Sequence, residues 1–405
     1  MFKNKRLLIL FFTMVVVMIG FGIMIPIVPF YVEQFGAGGA ELGMLMAVFS
    51  IMQFIFSPFW GSLSDRVGRK KVLLIGAFGN AVSMLIFALA DGLGLMFVSR
   101  ALAGILSSAT LPTAMAYISD STTHEERGGG MGVIGAAMGV GMVLGPGLGG
   151  WMSGISLSAP FFLAAGLSLV SMLLIWAILP ESLAPEQRIT DAKHLRGPNL
   201  GLMWKALFGP LGFLLFLAFL VNFGLANFEG VFGLYASHRY SYGPEQVGTI
   251  MVVIGIVSSV VQGALTGPAT RRLGETTIIK LSLASSALGF VLMVLAQGAV
   301  LILLTVGFFV FSNAMLRPAI FSLTSKRAQG GQGMALGLNN SFQSLGRVAG
   351  PLWAGFLFDY GVNLPYLSAA LIMLVTFAYG VLVMRSQGAR ADNLPAAAAA
   401  SAGDD

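Results

Sequence analysis

Four charged residues lie inside long apolar runs of this chain: Arg100, Glu229, Arg317 and Arg347. A charge at the centre of a hydrocarbon layer costs about 2.5–3.5 kcal/mol on insertion scales, so each is a candidate for function. Glu229 is the one acid, and a carboxylate at that depth can take a proton from one side of a barrier and release it on the other. The competing reading is a static pair, in which Glu229 neutralises Arg100. Both lie about six residues from the same end of their runs. Other polar residues recur at helical spacing. Asn222 precedes Glu229 by seven, and Asn313 precedes Arg317 by four. Asn339, Phe342, Gln343, Gly346 and Arg347 share one stripe, and Ser50, Gln53 and Ser57 share another. Such faces line a cavity or hydrogen-bond neighbouring helices; the spacing allows either. The 3 histidines fall in loops and there is no cysteine, so no metal or disulfide chemistry is expected.

The elements that carry these residues are apolar runs long enough, at ~1.5 Å per residue, to cross a ~30 Å hydrocarbon core as helices. Twelve are read, near 7–31, 42–60, 72–90, 95–119, 129–152, 160–179, 207–235, 245–266, 278–296, 299–323, 333–358 and 365–384. None alternates in polarity as barrel strands do. The first run follows a basic start like that of a secretion signal. It continues through Pro26 and Pro29 to Tyr31 without a small-residue cleavage pattern, and is read as a retained span. The expected fold is therefore all-α and integral to a membrane, with a hydrophobic fraction of 56% against 10% charged residues.

Charge placement sets orientation. Loops on the side of the N-terminus hold 19 of the 23 Lys and Arg, and the opposite loops hold only Arg239. The positive-inside rule puts both termini and the central loop in the cytoplasm. The net charge of +6 is then a topology signal scattered over seven loops, which argues against nucleic-acid binding. Residues 180–206 form the longest polar stretch, a cytoplasmic linker between a bundle at 1–179 and one at 207–384. Residues 385–405, ending PAAAAASAGDD, are read as a disordered cytoplasmic tail.

The two halves repeat. ELGMLMAV at 41 matches QVGTIMVV at 246, and GSLSDRVG at 61 matches GPATRRLG at 267. Leu111-Pro112 matches Arg317-Pro318, and Gly145-Pro146 matches Gly350-Pro351, all at offsets of 205 or 206. Repeated six-span halves place a site near the midplane, between them. In GSLSDRVGRKK, Gly61 and Gly68 are expected to provide the tight turns of a short hairpin loop. Asp65 stands as the one anion among Arg66, Arg69, Lys70 and Lys71.

At this point the chain resembles the major facilitator superfamily over essentially its full length. GSLSDRVGRKK is similar to that superfamily's loop signature between spans 2 and 3, and Arg100 with Gly104 to its span 4 signature. MGVGMVLGPGLGGWMSG, with Gly141, Gly145, Pro146, Gly149 and Gly150, resembles the span 5 signature of the antiporter branch. AFLVNFGLANFEGVFGLY and AMLRPAIFSL resemble spans 7 and 10 of bacterial multidrug exporters of the quinolone-resistance type. The resemblance implies two pseudo-symmetric six-helix bundles that rock about a central site. Asp65 would sit at the N-terminus of span 11 when the cytoplasmic side is closed, and Arg69 would pair with Asp120. That loop then acts as a conformational latch; its alternative role is to fix topology alone.

The span 5 glycines, four residues apart, would let backbones approach closely and seal a seam between the halves. The resemblance also implies export of lipophilic, often cationic compounds in exchange for protons, with Glu229 and Arg100 in proton coupling. Gln53, Asn222, Asn313, Arg317, Asn339, Phe342, Gln343 and Arg347 would line the cavity. Such exporters carry a second acid in span 10 where this chain has Ala314, and the span 1 acid of tetracycline exporters is absent too. The proton gradient would be the energy source, with no cofactor. A monomer in a bacterial inner membrane is expected, its partners being substrate, protons and lipid. Two rivals remain at this stage: a carrier of a sugar or amino acid, and a membrane sensor or enzyme. The second lacks support, because the longest loop has 27 residues and no catalytic cluster or nucleotide-binding loop.

Overall fold

The computed structural model describes residues 5–123, 126–188, 200–328 and 332–392, and within these every regular element is helical. Spans 1 to 6 are Lys5–Gln34, Gly39–Val67, Arg69–Ala88, Leu93–Ser121, Arg127–Met152 and Ala159–Ile178. Spans 7 to 12 are Gly212–Tyr240, Pro244–Leu273, Glu275–Leu295, Ala299–Lys326, Gln332–Phe358 and Leu364–Asp392. Eleven helices among the described residues are long and apolar enough to cross a membrane. Span 11 is not one of them, although it has 27 residues. Its Asn339, Asn340, Gln343 and Arg347 lower its hydropathy, and it is wedged between span 7 and span 2 rather than bathed in lipid.

Helices outrun the apolar runs because backbone hydrogen bonding continues past the lipid boundary. The 61–71 loop contracts to one residue, Gly68, whose φ of 103° only glycine holds without strain. Gly61 is therefore not at a turn; it sits inside span 2, facing Pro112 of span 4. Gly274, at φ 76°, makes the equivalent one-residue break between spans 8 and 9. Part of the expected linker is also helical, at Leu200–Leu207, and span 12 carries helix eight residues into the segment expected to be a tail. Residues 189–199 of that linker and 393–405 of the tail lie outside the described residues. Two spans change pitch ahead of a proline, which removes a backbone donor and crowds the carbonyl four residues earlier. Span 4 is 3-10 at Ser107–Ala109 before Pro112, and span 8 is π-helical at Val261–Leu265 before Pro268.

Packing reproduces the sequence repeat. Span 1 lies on 5 and span 3 on 6, as span 7 lies on 11 and span 9 on 12. Across the halves, span 5 meets span 8 and span 11 meets span 2. These two seams are images of each other. A Cβ on Gly150 would lie 2.9 Å from the Gly248 Cα, and one on Gly355 would lie 3.1 Å from the Gly43 Cα. Each residue of the first pair maps onto the second by the offset of 205 seen in the sequence.

The seams close one end of the molecule, the end away from the basic loops. There Gly39 packs on Gly355, Gly233 on Pro29, and the Glu33 carboxylate meets His238 Nε2 at 2.7 Å. At the basic end, Thr110–Ser121 of span 4 and Thr266–Leu273 of span 8 pack against helices of their own half. The halves part in that direction.

Candidate functional site

A cavity of about 330 Å³ opens between spans 8, 10 and 11, lined by Gln262, Arg317, Pro318, Phe321, Ser322, Asn340 and Gln343. Two of the expected cavity residues, Arg317 and Gln343, are on its wall. Gln343 is held there by a relay: its Nε2 donates to Asn339 Oδ1, and Asn339 Nδ2 donates to Thr324 Oγ1 at 3.3 Å. Asn339 thus joins span 11 to span 10 by hydrogen bonding, the structural alternative for such a residue. Phe342 is packed in the hydrophobic core and does not line this cavity. Asn222 donates to the Ala218 carbonyl of its own helix at 3.3 Å. Asn313 is buried, with its Nδ2 free of any partner and turned toward Gly224 of span 7. Gln53 is half-buried on span 2.

The charged residues rearrange the pairing expected from depth. Arg100 is 2% exposed and does not meet Glu229. Its guanidinium lies over the Phe49 ring at 4.5 Å from the centroid, its Nη2 is 4.0 Å from Met46 Sδ, and its Nε has no partner. The cation whose field reaches Glu229 is Arg347, which also feels Arg317. Close packing explains this: Gly346 and Gly350 of span 11 press onto Phe219, Phe223 and Asn227 of span 7, and Gly230 onto Pro351. Depth along a helix can be read from sequence, but azimuth relative to a distant helix cannot. Span 4 turns Arg100 toward span 2 within its own half. Glu229, Arg347 and Arg317 therefore form one electrostatic group in the second half, with two cations to one anion.

At the basic end Arg69 is the hub. Its Nε donates to Asp120 Oδ2 at 2.9 Å and its Nη1 to Ser64 Oγ at 2.6 Å, and Nη1 also pairs with Asp65. Asp65 thus pairs within its own half, as does the hub as a whole. Arg66 stands half-buried beside it on the last turn of span 2. Glu181, absent from the sequence reading, completes the group. It accepts from the Arg69 N–H at 2.8 Å and the Lys70 N–H at 3.3 Å, capping the free donors that begin span 3. Only its position just after Leu179-Pro180 hints at it.

The second half carries this arrangement with its charges reversed. Arg69–Asp120 shifts by 206 onto Glu275–Lys326, whose carboxylate accepts from Lys326 Nζ and from Ser322 Oγ at 2.9 Å. An ion pair serves the same geometry in either polarity, so a comparison of residue types does not find it.

The span 5 glycines divide their work. Gly141, Gly145 and Gly149 face span 1, in the same half, and do not form the seam expected of them. A Cβ on Gly145 would be 2.9 Å from the Ile19 carbonyl oxygen, and the Cδ of Pro146 presses on Gly22. Gly150, one residue past the stripe, faces span 8 and does cross between the halves.

Known proteins place this architecture. The signature of the Major Facilitator Superfamily matches residues 10–351. Multidrug resistance protein 2 of Bacillus subtilis (strain 168) is 34% identical over 369 residues, which is 91% of this chain and 92% of that protein. Quinolone resistance protein NorA of Staphylococcus aureus (strain MRSA252) is 32% identical over 365 residues, covering 89% and 92%. Among solved structures, the nucleoside transporter NupG superposes with a TM-score of 0.78 over 94% of this chain and 99% of its own, at 16% identity, a likeness of fold alone. With two pseudo-symmetric six-helix halves, and relatives this similar across nearly their whole length, the chain belongs to the Major Facilitator Superfamily.

Proposed function

We propose that this protein is a secondary transporter that exports lipophilic, often cationic compounds in exchange for protons by alternating access. One observation carries the coupling: Glu229, the single acid among the membrane-depth charges, lies in the second half on span 7, which packs on the span that carries Arg347, and is within reach of that cation's field. The names of the relatives, multidrug and quinolone resistance proteins, support the substrate class. Glu229 takes up the proton and Arg347 serves as its counter-charge. Arg100, remote from Glu229, acts on the first half through its contacts with Phe49 and Met46. The basic end is cytoplasmic by the positive-inside rule, which makes this conformation inward-facing. The setting is a bacterial cytoplasmic membrane, and the protein works as a monomer, without cofactor, nucleic acid or any chemical step on its substrate.

The deciding experiment is efflux of a lipophilic cationic dye into everted vesicles, with and without a pH gradient. Uptake that collapses with the gradient supports the reading; gradient-independent uptake removes it. With two cations to one anion around the site, monocationic lipophiles should be moved better than dications of similar size, by about tenfold for one uncompensated charge. Equal transport of the dication would show an acidic group outside this cluster. The same two arginines favour a second reading, a carboxylate-bearing metabolite as substrate, and a panel of amino acids and sugar acids in the same vesicles tests it.

Asp65, held by Arg69 within its own half in this conformation, is assigned as the cytoplasmic latch, engaging span 11 when the cytoplasmic side closes. Asp65→Asn should insert and fold normally while slowing turnover several-fold. Undiminished turnover would leave Asp65 with no role beyond topology.

A further inference from the structure

Spans 2 and 11 run antiparallel, and their contact register is simple. Gly39 packs on Gly355 and Gly43 on Pro351, so one step along span 2 is one step back along span 11. At the end away from the basic loops, this register brings Asp359, the residue after span 11, onto the beginning of span 2. Its Oδ1 accepts from the Gly39 N–H at 2.7 Å and its Oδ2 from the Ala40 N–H at 2.9 Å. The donor before them, the Gly38 N–H, goes to Glu41 of the same helix at 3.0 Å. Span 2 therefore relies on the other half of the molecule for two of its free N-terminal donors.

The related seam does without this. Span 8 also satisfies its Gly243 N–H internally, through Gln246 at 3.0 Å. Its next residue is Pro244, which has no N–H to satisfy, and the position equivalent to Asp359 is Gly154. The cross-half carboxylate belongs to one seam only. Asp65 stands at the other end of span 2, near its last turn, where the same antiparallel register runs toward the beginning of span 11; in this conformation it pairs with Arg69 of its own half. The helix pair thus carries a carboxylate at each end, Asp359 on the N-terminus of span 2 and Asp65 on the last turn of span 2.

We propose that Asp359 is an outer latch, the counterpart of Asp65, and that the two carboxylates compete. Asp359 caps span 2 when the outer end is closed and the cytoplasmic end open. Asp65 caps span 11 in the opposite state. Both gains are lost to water when their end of the seam opens, so their difference biases the resting population without favouring either state strongly. The proposal rests on the alternating-access reading above, but not on the substrate or on the proton.

The chain contains no cysteine, so labels can be introduced without background. Spin labels at Ile155→Cys and Val300→Cys report the outer end, and labels at Lys71→Cys and Leu273→Cys report the cytoplasmic end; all four positions are exposed. Pulsed distance measurements on purified protein in lipid then give the populations. Asp359→Ala should raise the ratio of outer-open to outer-closed protein about three- to tenfold, the range expected for an anion at a helix N-terminus. Asp359→Asn, which keeps an acceptor and loses the charge, should fall between. Asp65→Ala should shift the ratio the other way, and the double variant should return toward the parent. An unchanged distribution in folded Asp359→Ala overturns the proposal, as does a double variant that behaves like Asp65→Ala alone. If Asp359→Ala does not survive purification, an unchanged distribution in Asp359→Asn overturns it equally. Gradient-independent dye movement in the parent would sink the export reading while leaving these distance shifts intact.

Discussion

Glu229→Gln is expected to yield a stable, inserted protein that has lost uphill transport by two orders of magnitude or more while downhill exchange largely survives. Gln cannot titrate, so no proton can be carried in exchange for substrate. Its neutral amide resembles the protonated carboxyl in size and polarity, so the halves can still rock. The competing outcome is now specific, because the neighbour is Arg347 and not Arg100. If Glu229 serves only to offset Arg347, the substitution leaves a cation in a low-dielectric setting without its counter-charge, at a cost of several kcal/mol. Expression and thermal stability should then fall, and Glu229→Gln/Arg347→Gln should recover much of the loss. Uphill and downhill flux, measured with the melting temperatures of the single and double variants, separates the two. Stable Glu229→Gln protein that still pumps against a gradient would exclude both roles.

The second large effect is a contrast between two glycines on the same helix. Gly346 and Gly355 of span 11 both abut backbone so closely that no side chain fits without movement. Gly346 faces Phe219 and Phe223 of span 7, inside its own half, and that contact should persist through the cycle. Gly355 faces Gly39 and Gly43 of span 2, across the halves, and on the alternating-access reading that contact should hold only while the outer end is closed. Overpacking of this kind costs about 1–3 kcal/mol. In Gly346→Val the cost falls on folding, and the melting temperature should drop by about 1–4 °C, at about 1 °C for each kcal/mol in a chain of this size. In Gly355→Val it falls on one conformer, whose population should shrink between about fivefold and 150-fold, at nearly unchanged stability. Uphill transport should fall at least tenfold, and the outer-end label distance should lengthen. Equal loss of stability in both variants would mean that spans 2 and 11 do not separate during transport.

Much of this molecule is written along the chain. A run of apolar residues must become a helix once water is absent, because no other structure satisfies its backbone without neighbours. Spans and the repeat at 205 to 206 residues are therefore legible without coordinates, as is the cost that marks Arg100, Glu229, Arg317 and Arg347. The limits of that reading were helix ends and azimuths. Hydropathy reports where lipid stops and not where hydrogen bonding stops, so residues 61–71 read as a hairpin loop in sequence although only Gly68 leaves the helix.

What tertiary structure alone decided is which helix each residue faces. Equal depth allows Glu229 to pair with Arg100, but Arg100 lies over Phe49 within the first half, and the packing of span 7 on span 11 puts Glu229 in the field of Arg347 instead. The stripe at Gly141, Gly145 and Gly149 has the spacing of a close helix contact, yet spacing does not name the partner, which is span 1. Glu181 and Asp359 are unremarkable acids at the ends of apolar runs until the fold carries them 112 and 320 residues back along the chain, to the starts of spans 3 and 2. The charge-reversed pair Glu275–Lys326 is invisible to a search for repeated residue types, because attraction depends on the product of two charges and not on which helix carries which sign.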